Sequence, residues 1–287
     1  MRLGLHALGI GTGARRDVID AVAVAAEEAG FSTLWAGEHV VMVDRSASRY
    51  PYAPDGQIAV PPDADWLDPM IALSFAAAAT RKIRLATGVL LLPEHNPVML
   101  AKQAASLDRL SHGRLTLGIG VGWSAEEFGA LGIPFERRGA RADEYLEAMR
   151  TVWRQDPASF SGEFLRFADI RVNPKPVRHG RIPIVVGGNS DAALRRAART
   201  ADGWYGFNLA DAVSASERIT RLRALCETAG RALSEIEIAV ALDHHPTPQD
   251  RHELAEVGVH ELVLVAAPPA DPAEAEEWTT ALRADLG

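Results

Sequence analysis

The stretch NPVMLAKQAASLDRLSHGRLTLGIGVG, residues 96–122, contains a helix, a turn and a buried strand in direct succession. Asn96 can cap a helix whose first turn holds Pro97, and Gly113 is the residue type that commonly ends a helix. Residues 114–120 are mostly apolar, as expected of a strand that is covered on both faces of a parallel sheet. The stretch therefore predicts one helix–strand unit of an α/β fold.

The same alternation recurs along the chain, because short apolar runs alternate with longer amphipathic ones such as DVIDAVAVAAEEAG, residues 17–30. Dividing 287 residues by eight leaves about 36 per unit, which is enough for a strand, a loop and a helix. Eight strands are predicted, over residues 2–7, 33–37, 83–90, 114–120, 183–187, 203–207, 236–241 and 261–266.

These units predict an α/β fold, a (β/α)8 TIM barrel that forms one domain over residues 1–287, with insertions at the C-terminal face. The stretches that fit no simple unit, and are expected to be insertions, are 41–66, 122–138 and 156–182. A doubly wound Rossmann sheet is the alternative. Its glycine fingerprint is incomplete, because neither GIGTG at 9–13 nor GIGVG at 118–122 has the final glycine of the motif.

Composition excludes several classes of protein. The net charge of −8 argues against a nucleic-acid partner, which would require a basic surface. The longest apolar run is too short to span a bilayer and the N-terminus lacks a cleavage site, so we expect a cytoplasmic protein with no membrane partner. The single cysteine, Cys226, can form no intramolecular disulfide bond.

Polar residues just past the barrel strands are the candidates for chemistry, since active sites of barrels lie at the C-terminal ends of the strands. His39 follows the second predicted strand and could move a proton near neutral pH, although a packing role is the alternative. His95 follows the third strand and is a candidate pocket residue. His244 and His245 are adjacent and would point to opposite faces of a strand, so no metal site is predicted.

Two glycine-containing segments indicate places where a ligand approaches the backbone. Gly187, Gly188, Asn189 and Ser190 follow a strand and open a helix, which favours a phosphate site, although an ordinary turn and helix cap would have the same sequence. Thr87 and Gly88 interrupt an apolar strand, which indicates a bulge or a ligand against the backbone.

Several longer segments of the chain resemble a known protein family. The block HNPVMLAKQAASLDRLSHGRLTLGIGVGWSAEEFGALGIPFERRGARADEYLEAMRTVW, residues 95–153, is similar to the signature of luciferase-like monooxygenases, in the branch described as using coenzyme F420. The similarity extends over roughly residues 1–210. Its further segments are AEEAGFSTLWAGEHV, YPYAPDG, WLDPMIAL, NPKPV and GGNSDAALRRAARTADGW.

The resemblance implies a (β/α)8 barrel, usually a homodimer, with the cofactor ring over the barrel mouth and its phosphate held after the fifth strand. It implies that His39 is catalytic and that a non-proline cis peptide joins Gly88 and Val89. The other cofactor-binding residues expected from it and from the segments above are Thr87, Gly120, Gly122, Gly187, Gly188, Asn189 and Ser190. Trp66, His95 and Trp123 are expected to contact a small-molecule substrate.

One departure bears on the substrate. Dehydrogenases of the family carry a Glu in the loop after the fourth strand, where this chain has Trp123. A Glu-assisted sugar dehydrogenation is therefore not expected, and the indole favours a bulkier or flatter substrate, or simply forms a pocket wall. Tyr50, Tyr52 and the indoles of the two longer loops are candidate lid residues.

The predicted function is an F420-dependent oxidoreductase that transfers a hydride between the deazaflavin and a small organic substrate, with His39 handling the proton. An FMN-dependent monooxygenase with a reductase partner is the first alternative. A non-catalytic flavin-binding protein is the second. The anionic tail of F420 favours a basic rim, for which the candidates are Arg137, Arg138, Arg141, Lys175, Arg178 and Arg181.

Overall fold

Eight parallel strands close into a barrel in the computed structural model, which describes residues 1–287. The strands of the chain are β1 Arg2–His6, β2 Thr33–Ala36, β3 Arg84–Thr87, β4 Leu90–Leu91, β5 Leu115–Gly120, β6 Ala158–Ser161, β7 Arg166–Ile170, β8 Ile184–Gly187, β9 Gly203–Leu209, β10 Glu237–Leu242 and β11 Glu261–Val265. The barrel order is β1, β2, β3, β5, β8, β9, β10 and β11, and β1 pairs with β11 to close it. The predicted barrel is confirmed, and closure excludes an open Rossmann sheet.

The predicted strand 83–90 is interrupted in the structure. β3 ends at Thr87, a cis peptide joins Gly88 and Val89, and the short β4 continues alongside β5. The cis bond predicted between these two residues is confirmed. The break falls at the C-terminal end of the strand, which is the end where barrel enzymes carry their active sites.

Helices cover the barrel between successive strands. They are α1 Arg16–Glu28, α2 Pro69–Ala79, α3 Pro97–Leu110, α4 Ala125–Ala130, α5 Arg138–Arg154, α6 Asp191–Thr200, α7 Ala212–Thr228, α8 Pro248–Glu256 and α9 Ala275–Ala284. The predicted helix cap is present, since the Asn96 side chain accepts hydrogen bonds from the amides of Val98 and Met99. None of the helices combines the length and the apolar character that crossing a bilayer requires.

The core has two parts. The larger one lies between the strands and the surrounding helices, and the smaller one fills the inside of the barrel around Trp35 and Tyr205. These two rings stack with centroids 4.7 Å apart. A β-carbon at Gly4 would lie 2.8 Å from the Trp35 Nε1, so glycine makes room for the indole. The packed interior forms a floor below the barrel mouth.

The three predicted insertions have different positions. Residues 41–66 cover the barrel mouth, and Trp66 makes a bridge to Ile10 there. Residues 122–138 contain α4 and contribute to the same end of the barrel. Residues 156–182 contain the antiparallel β6–β7 hairpin, which packs on α5 and contributes no residue to the cavity at the mouth.

Candidate functional site

A cavity of about 840 Å³ opens at the C-terminal ends of the barrel strands. Its walls come from the ends of β1, β2, β5, β8, β9 and β11 and from residues 49–66. A cavity of this size is typical of sites that hold a cofactor or a drug-sized ligand. It lies where the barrel architecture places catalytic groups.

One wall of the cavity is formed by glycine residues and by Val89. A β-carbon at Gly120 would lie 2.7 Å from Val89 Cγ2, and one at Gly187 would lie 2.6 Å from Val89 Cγ1. The Val89 side chain therefore fits only because the neighbouring strands carry glycine. Gly37, Gly88, Gly120 and Gly187 all line the cavity. The result is a flat wall that can accept a planar ring.

The start of α6 forms one end of the cavity. Gly188 has a φ of +115°, which favours glycine, and the Ser190 hydroxyl accepts from the Ala193 amide. Asn189 is held by the Phe207 carbonyl, to which its side-chain amide donates at 2.7 Å. Amides of a first helical turn attract anions. The arrangement offers a phosphate-sized group a backbone site at the edge of the flat wall.

His39 and Glu127 form a buried pair, and His39 lines the cavity. The His39 Nδ1 lies 2.8 Å from Glu127 Oε2, and the Glu127 Oε1 accepts from the amides of Val40 and Val41. The carboxylate therefore fixes both the imidazole and the loop that follows β2. Since Nδ1 is bound by Glu127, Nε2 is the nitrogen left for chemistry, and it accepts a hydrogen bond of 3.4 Å from the Trp123 indole.

Two further carboxyl groups lie behind this pair. Glu38 accepts from the Leu91 amide at 2.6 Å and lies 3.0 Å from His95 Nε2. Burial alone would lower the pKa of His95, but the hydrogen bond to Glu38 and its charge outweigh burial and raise it. Glu94 is buried and neither carboxyl oxygen has a hydrogen-bond partner in the protein. Burial, then the charges of Glu127 and Glu38, raise the pKa of Glu94 to about 9.

The deep end of the cavity contains two polar groups that have no protein partner. Neither ring nitrogen of His6 is hydrogen-bonded, and the Tyr205 hydroxyl is also unpartnered. Burial lowers the pKa of His6 to about 4 and raises that of Tyr205, so both are neutral at physiological pH. Buried polar atoms normally have partners, so these atoms are available to a ligand.

Most of the predicted site residues line this one cavity. They are His39, Trp66, Gly88, Val89, Gly120, Gly122, Trp123, Gly187, Gly188, Asn189 and Ser190. Thr87 and His95 do not line it. The Thr87 hydroxyl donates to the Gly118 carbonyl inside the barrel wall, and the His95 ring is turned to Glu38. Of the basic residues considered for a rim, Arg138 alone lines the cavity.

Several residues of the site were not selected from the sequence. Tyr205 lies on a predicted strand, so its position could have suggested it. Glu127 could not be distinguished from Glu126, because both lie in the first turn of α4. Their partners differ in the structure, since Glu126 accepts hydrogen bonds from the amides of Ala47 and Ser48 and not from His39.

The family model described as luciferase-like monooxygenase matches residues 3–286. The chain belongs to this family. Uncharacterized protein Rv0953c of Mycobacterium tuberculosis is 38% identical to this luciferase-like chain over 271 residues, which are 93% of each chain. The FMNH(2)-dependent dimethylsulfone monooxygenase of Pseudomonas putida is 31% identical over 196 residues, which cover 67% of this chain and 52% of that protein.

A solved structure shows the same barrel. The coenzyme F420 dependent tetrahydromethanopterin reductase of Methanopyrus kandleri superposes with a TM-score of 0.77 at 17% identity, over 99% of this chain and 98% of that chain. Luciferase-like family members are oxidoreductases that act on small molecules, and they use either a flavin or a deazaflavin.

Proposed function

We propose that the protein is an F420-dependent oxidoreductase, in which a hydride passes between the deazaflavin and a small organic substrate. The observation that carries the proposal is the His39–Glu127 pair beside the flat glycine wall of the cavity. Hydride transfer to or from carbon is coupled to movement of one proton, and a buried imidazole held by a carboxylate can move it.

The cavity fits a cofactor of this kind. The glycine wall accepts a planar ring, the first turn of α6 accepts a phosphate, and the unpartnered atoms of His6 and Tyr205 offer hydrogen bonds to polar ring atoms. We infer that Gly88, Val89, Gly120 and Gly187 would hold the ring, with Gly188 and Ser190 at the phosphate. When bound, the deazaflavin supplies or accepts the hydride.

The chain's own residues orient the reactants and handle the proton. Glu127 keeps the His39 ring in place through Nδ1, so Nε2 is presented to the reacting atoms. The loop 41–66 would exclude water from the mouth of the cavity. It is anchored there by Trp66, whose indole donates to the Gly37 carbonyl at 3.0 Å. His39 is thus the proposed general acid or base, according to the direction of the reaction.

An FMN-dependent monooxygenase is the second candidate, because the dimethylsulfone monooxygenase relative uses reduced FMN and is 31% identical. It would require a reductase partner. The preference for F420 rests on the similarity of residues 95–153 to the F420 branch. Two cations at the cavity, Arg49 and Arg138, are compatible with its anionic tail. We propose in addition that the protein acts in the cytoplasm as a homodimer.

Parallel titration of the purified protein with F420 and with FMN tests the cofactor, using cofactor fluorescence and thermal shift as readouts. Preferential binding of F420 supports the proposal. Preferential binding of FMN would replace it with the monooxygenase, and binding of neither would reject both.

His39→Ala tests whether the cavity is catalytic or only binds the cofactor. We expect a fall in turnover of roughly 10²–10⁴-fold, because general acid–base catalysis contributes about that much. The cofactor Kd should stay unchanged. His244→Ala, which removes an exposed imidazole far along the chain on the loop after β10, is the matched control. Equal turnover in the two variants would refute the role of His39.

A further inference from the structure

A second cavity, of about 280 Å³, lies at the end of the barrel opposite to the candidate site. It is bounded by the last turns of α5 and α6 and by the residues just before β8 and β9, where these two strands begin. It shares no lining residue with the cavity at the barrel mouth. We call it the arginine cavity, because five arginines line it: Arg150, Arg154, Arg181, Arg199 and Arg231.

Two of these arginines are fixed by carbonyl groups at the end of α6. The Arg150 Nη2 donates to the Thr200 carbonyl. The Arg231 Nη1 donates to the carbonyls of Ala198 and Ala201, both at 3.0 Å. The last carbonyls of a helix have no partner within it, so these contacts cap α6. A guanidinium has five N–H donors, and each of the two therefore keeps donors for a ligand. Capping accounts for two of the five arginines and leaves three unexplained.

The positive charge of the arginine cavity is only partly balanced. Two of the five arginines form ion pairs, Arg181 with Asp202 and Arg231 with Glu235. A third carboxylate, that of Glu147, acts on the group from one turn earlier in α5. Five guanidinium groups thus face three carboxylates, and two positive charges are left over.

The half-buried Arg150 lies at the centre of this imbalance. Burial lowers its pKa, and the positive charges of Arg154 and Arg181 act in the same direction. The carboxylates of Glu147 and Asp202 oppose them. Like charges held this close repel one another, so an anion between the guanidinium groups would be attracted.

The arrangement of the donors suits a phosphate group. Guanidinium groups bind phosphate oxygens through pairs of parallel N–H donors. The five arginines belong to α5, to the segment before β8, to α6 and to the segment after α7, so they approach the cavity from several directions. A tetrahedral anion can accept hydrogen bonds from all of these directions, which a flat carboxylate cannot. A cavity of about 280 Å³ is also small for a larger organic ligand.

We propose that the arginine cavity is a binding site for a small dianion that carries phosphate. The ligand is either an inorganic phosphate or diphosphate ion or the phosphate group of a small ester. Arg181, which the sequence suggested for the rim of the barrel mouth, belongs to this second site. The proposal requires neither a cofactor nor the proposed function, because the two cavities have no residue in common.

Isothermal titration calorimetry of the purified protein without cofactor tests the proposal. The probes are inorganic phosphate, inorganic diphosphate and glycerol phosphate, each at the same ionic strength set with sodium chloride, because salt screens non-specific attraction. We expect at least one probe to bind one to one. Tighter binding of the inorganic ions identifies a free ion as the ligand, and tighter binding of glycerol phosphate identifies an ester.

The double variant Arg154→Gln/Arg199→Gln assigns the binding to this cavity. Both side chains are exposed and neither forms an ion pair, so the fold should persist, which thermal unfolding without ligand checks. We expect the affinity for the tightest probe to fall at least about tenfold, since two charged donors are lost. Arg166→Gln/Arg223→Gln is the matched control, because it removes the same charge from exposed arginines of β7 and α7 outside both cavities.

Three results would overturn the proposal. The first is that none of the probes binds. The second is equal weakening by the two double variants, which would show non-specific attraction by net charge. The third is an unchanged affinity in Arg154→Gln/Arg199→Gln, which would place the bound phosphate elsewhere, as at the first turn of α6.

Discussion

Three carboxyl groups lie near His39 and His95, and their partners differ. Glu127 is hydrogen-bonded to His39 and two backbone amides, and Glu38 to His95 and one amide. Glu94 has no hydrogen-bond partner in the protein, although both of its carboxyl oxygens are buried. A buried carboxylate without donors is strongly disfavoured, so Glu94 is the group that stays protonated.

This difference predicts how stability depends on pH. Burial and the charges of Glu127 and Glu38 raise the pKa of Glu94 from 4.5 to about 9, so the folded state binds this proton more tightly than the unfolded state. The stabilising contribution is complete below pH 4.5 and is lost as the pH rises through about 9. Glu94→Gln removes the titrating group. Urea unfolding across this range should therefore show a smaller loss of stability in the variant, by at least about 1.4 kcal/mol, which corresponds to one pKa unit.

Glu276→Gln is the control, because it removes one negative charge from the exposed side of α9. Its stability should follow that of the unaltered protein across the same range. If Glu94→Gln also does so, the carboxyl of Glu94 is not held in its neutral form and the prediction fails.

At the scale of elements, the approach of three strand ends creates the flat wall. The interruption between β3 and β4 turns Val89 toward glycines of β5 and β8, and no larger residue fits at either place. The wall is thus a property of neighbouring strands rather than of one segment. A single methyl group on either glycine would move the backbone that the cofactor is proposed to contact.

Gly187→Ala should weaken binding of the cofactor by about tenfold or more, because its β-carbon would lie 2.6 Å from Val89 Cγ1. Gly129→Ala is the matched control. Apart from its chain neighbours and the backbone of its own helix, no atom lies within 4 Å of a β-carbon at that position in α4, and alanine favours a helix over glycine. Cofactor fluorescence titration measures both variants, and equal Kd values would show that the wall does not contact the cofactor.

At the scale of the whole molecule, apolar side chains are exposed on two adjacent helices. Ile71 on α2 is 58% exposed, and Met99 and Leu110 on α3 are 64% and 75% exposed. A contiguous apolar patch on the surface commonly marks an interface. The proposed homodimer would bury them against a second copy of the chain.

We expect the protein to elute as a dimer, and the double variant Ile71→Glu/Met99→Glu to elute as a monomer, because two buried charges on each partner are unfavourable. Val213→Glu is the control, since Val213 is 67% exposed on α7. Light scattering after size-exclusion chromatography gives the masses. A dimer that survives the double substitution would place the interface elsewhere.

Local sequence patterns were sufficient for the barrel and for the backbone part of the site. The eight strands and the cap at Asn96 were predicted because periodicity and helix capping are each contained in a short segment, whereas the cis peptide after Gly88 was expected from the family resemblance. Thr87 and His95 were predicted to be site residues, but neither lines the cavity. Sequence position places a residue near a strand end but does not determine the direction of its side chain.

What the sequence by itself determined is therefore the alternation of strands and helices, the closed barrel that follows from it, and the glycines that leave backbone exposed at its mouth. The tertiary structure decided which side chains meet there. His39 and Glu127 are 88 residues apart, and Trp123 and His39 are separated by 84. The physical reason is that such pairs depend on the curvature of the closed sheet and on the path of long loops, which are set by packing across the whole molecule rather than by any local pattern.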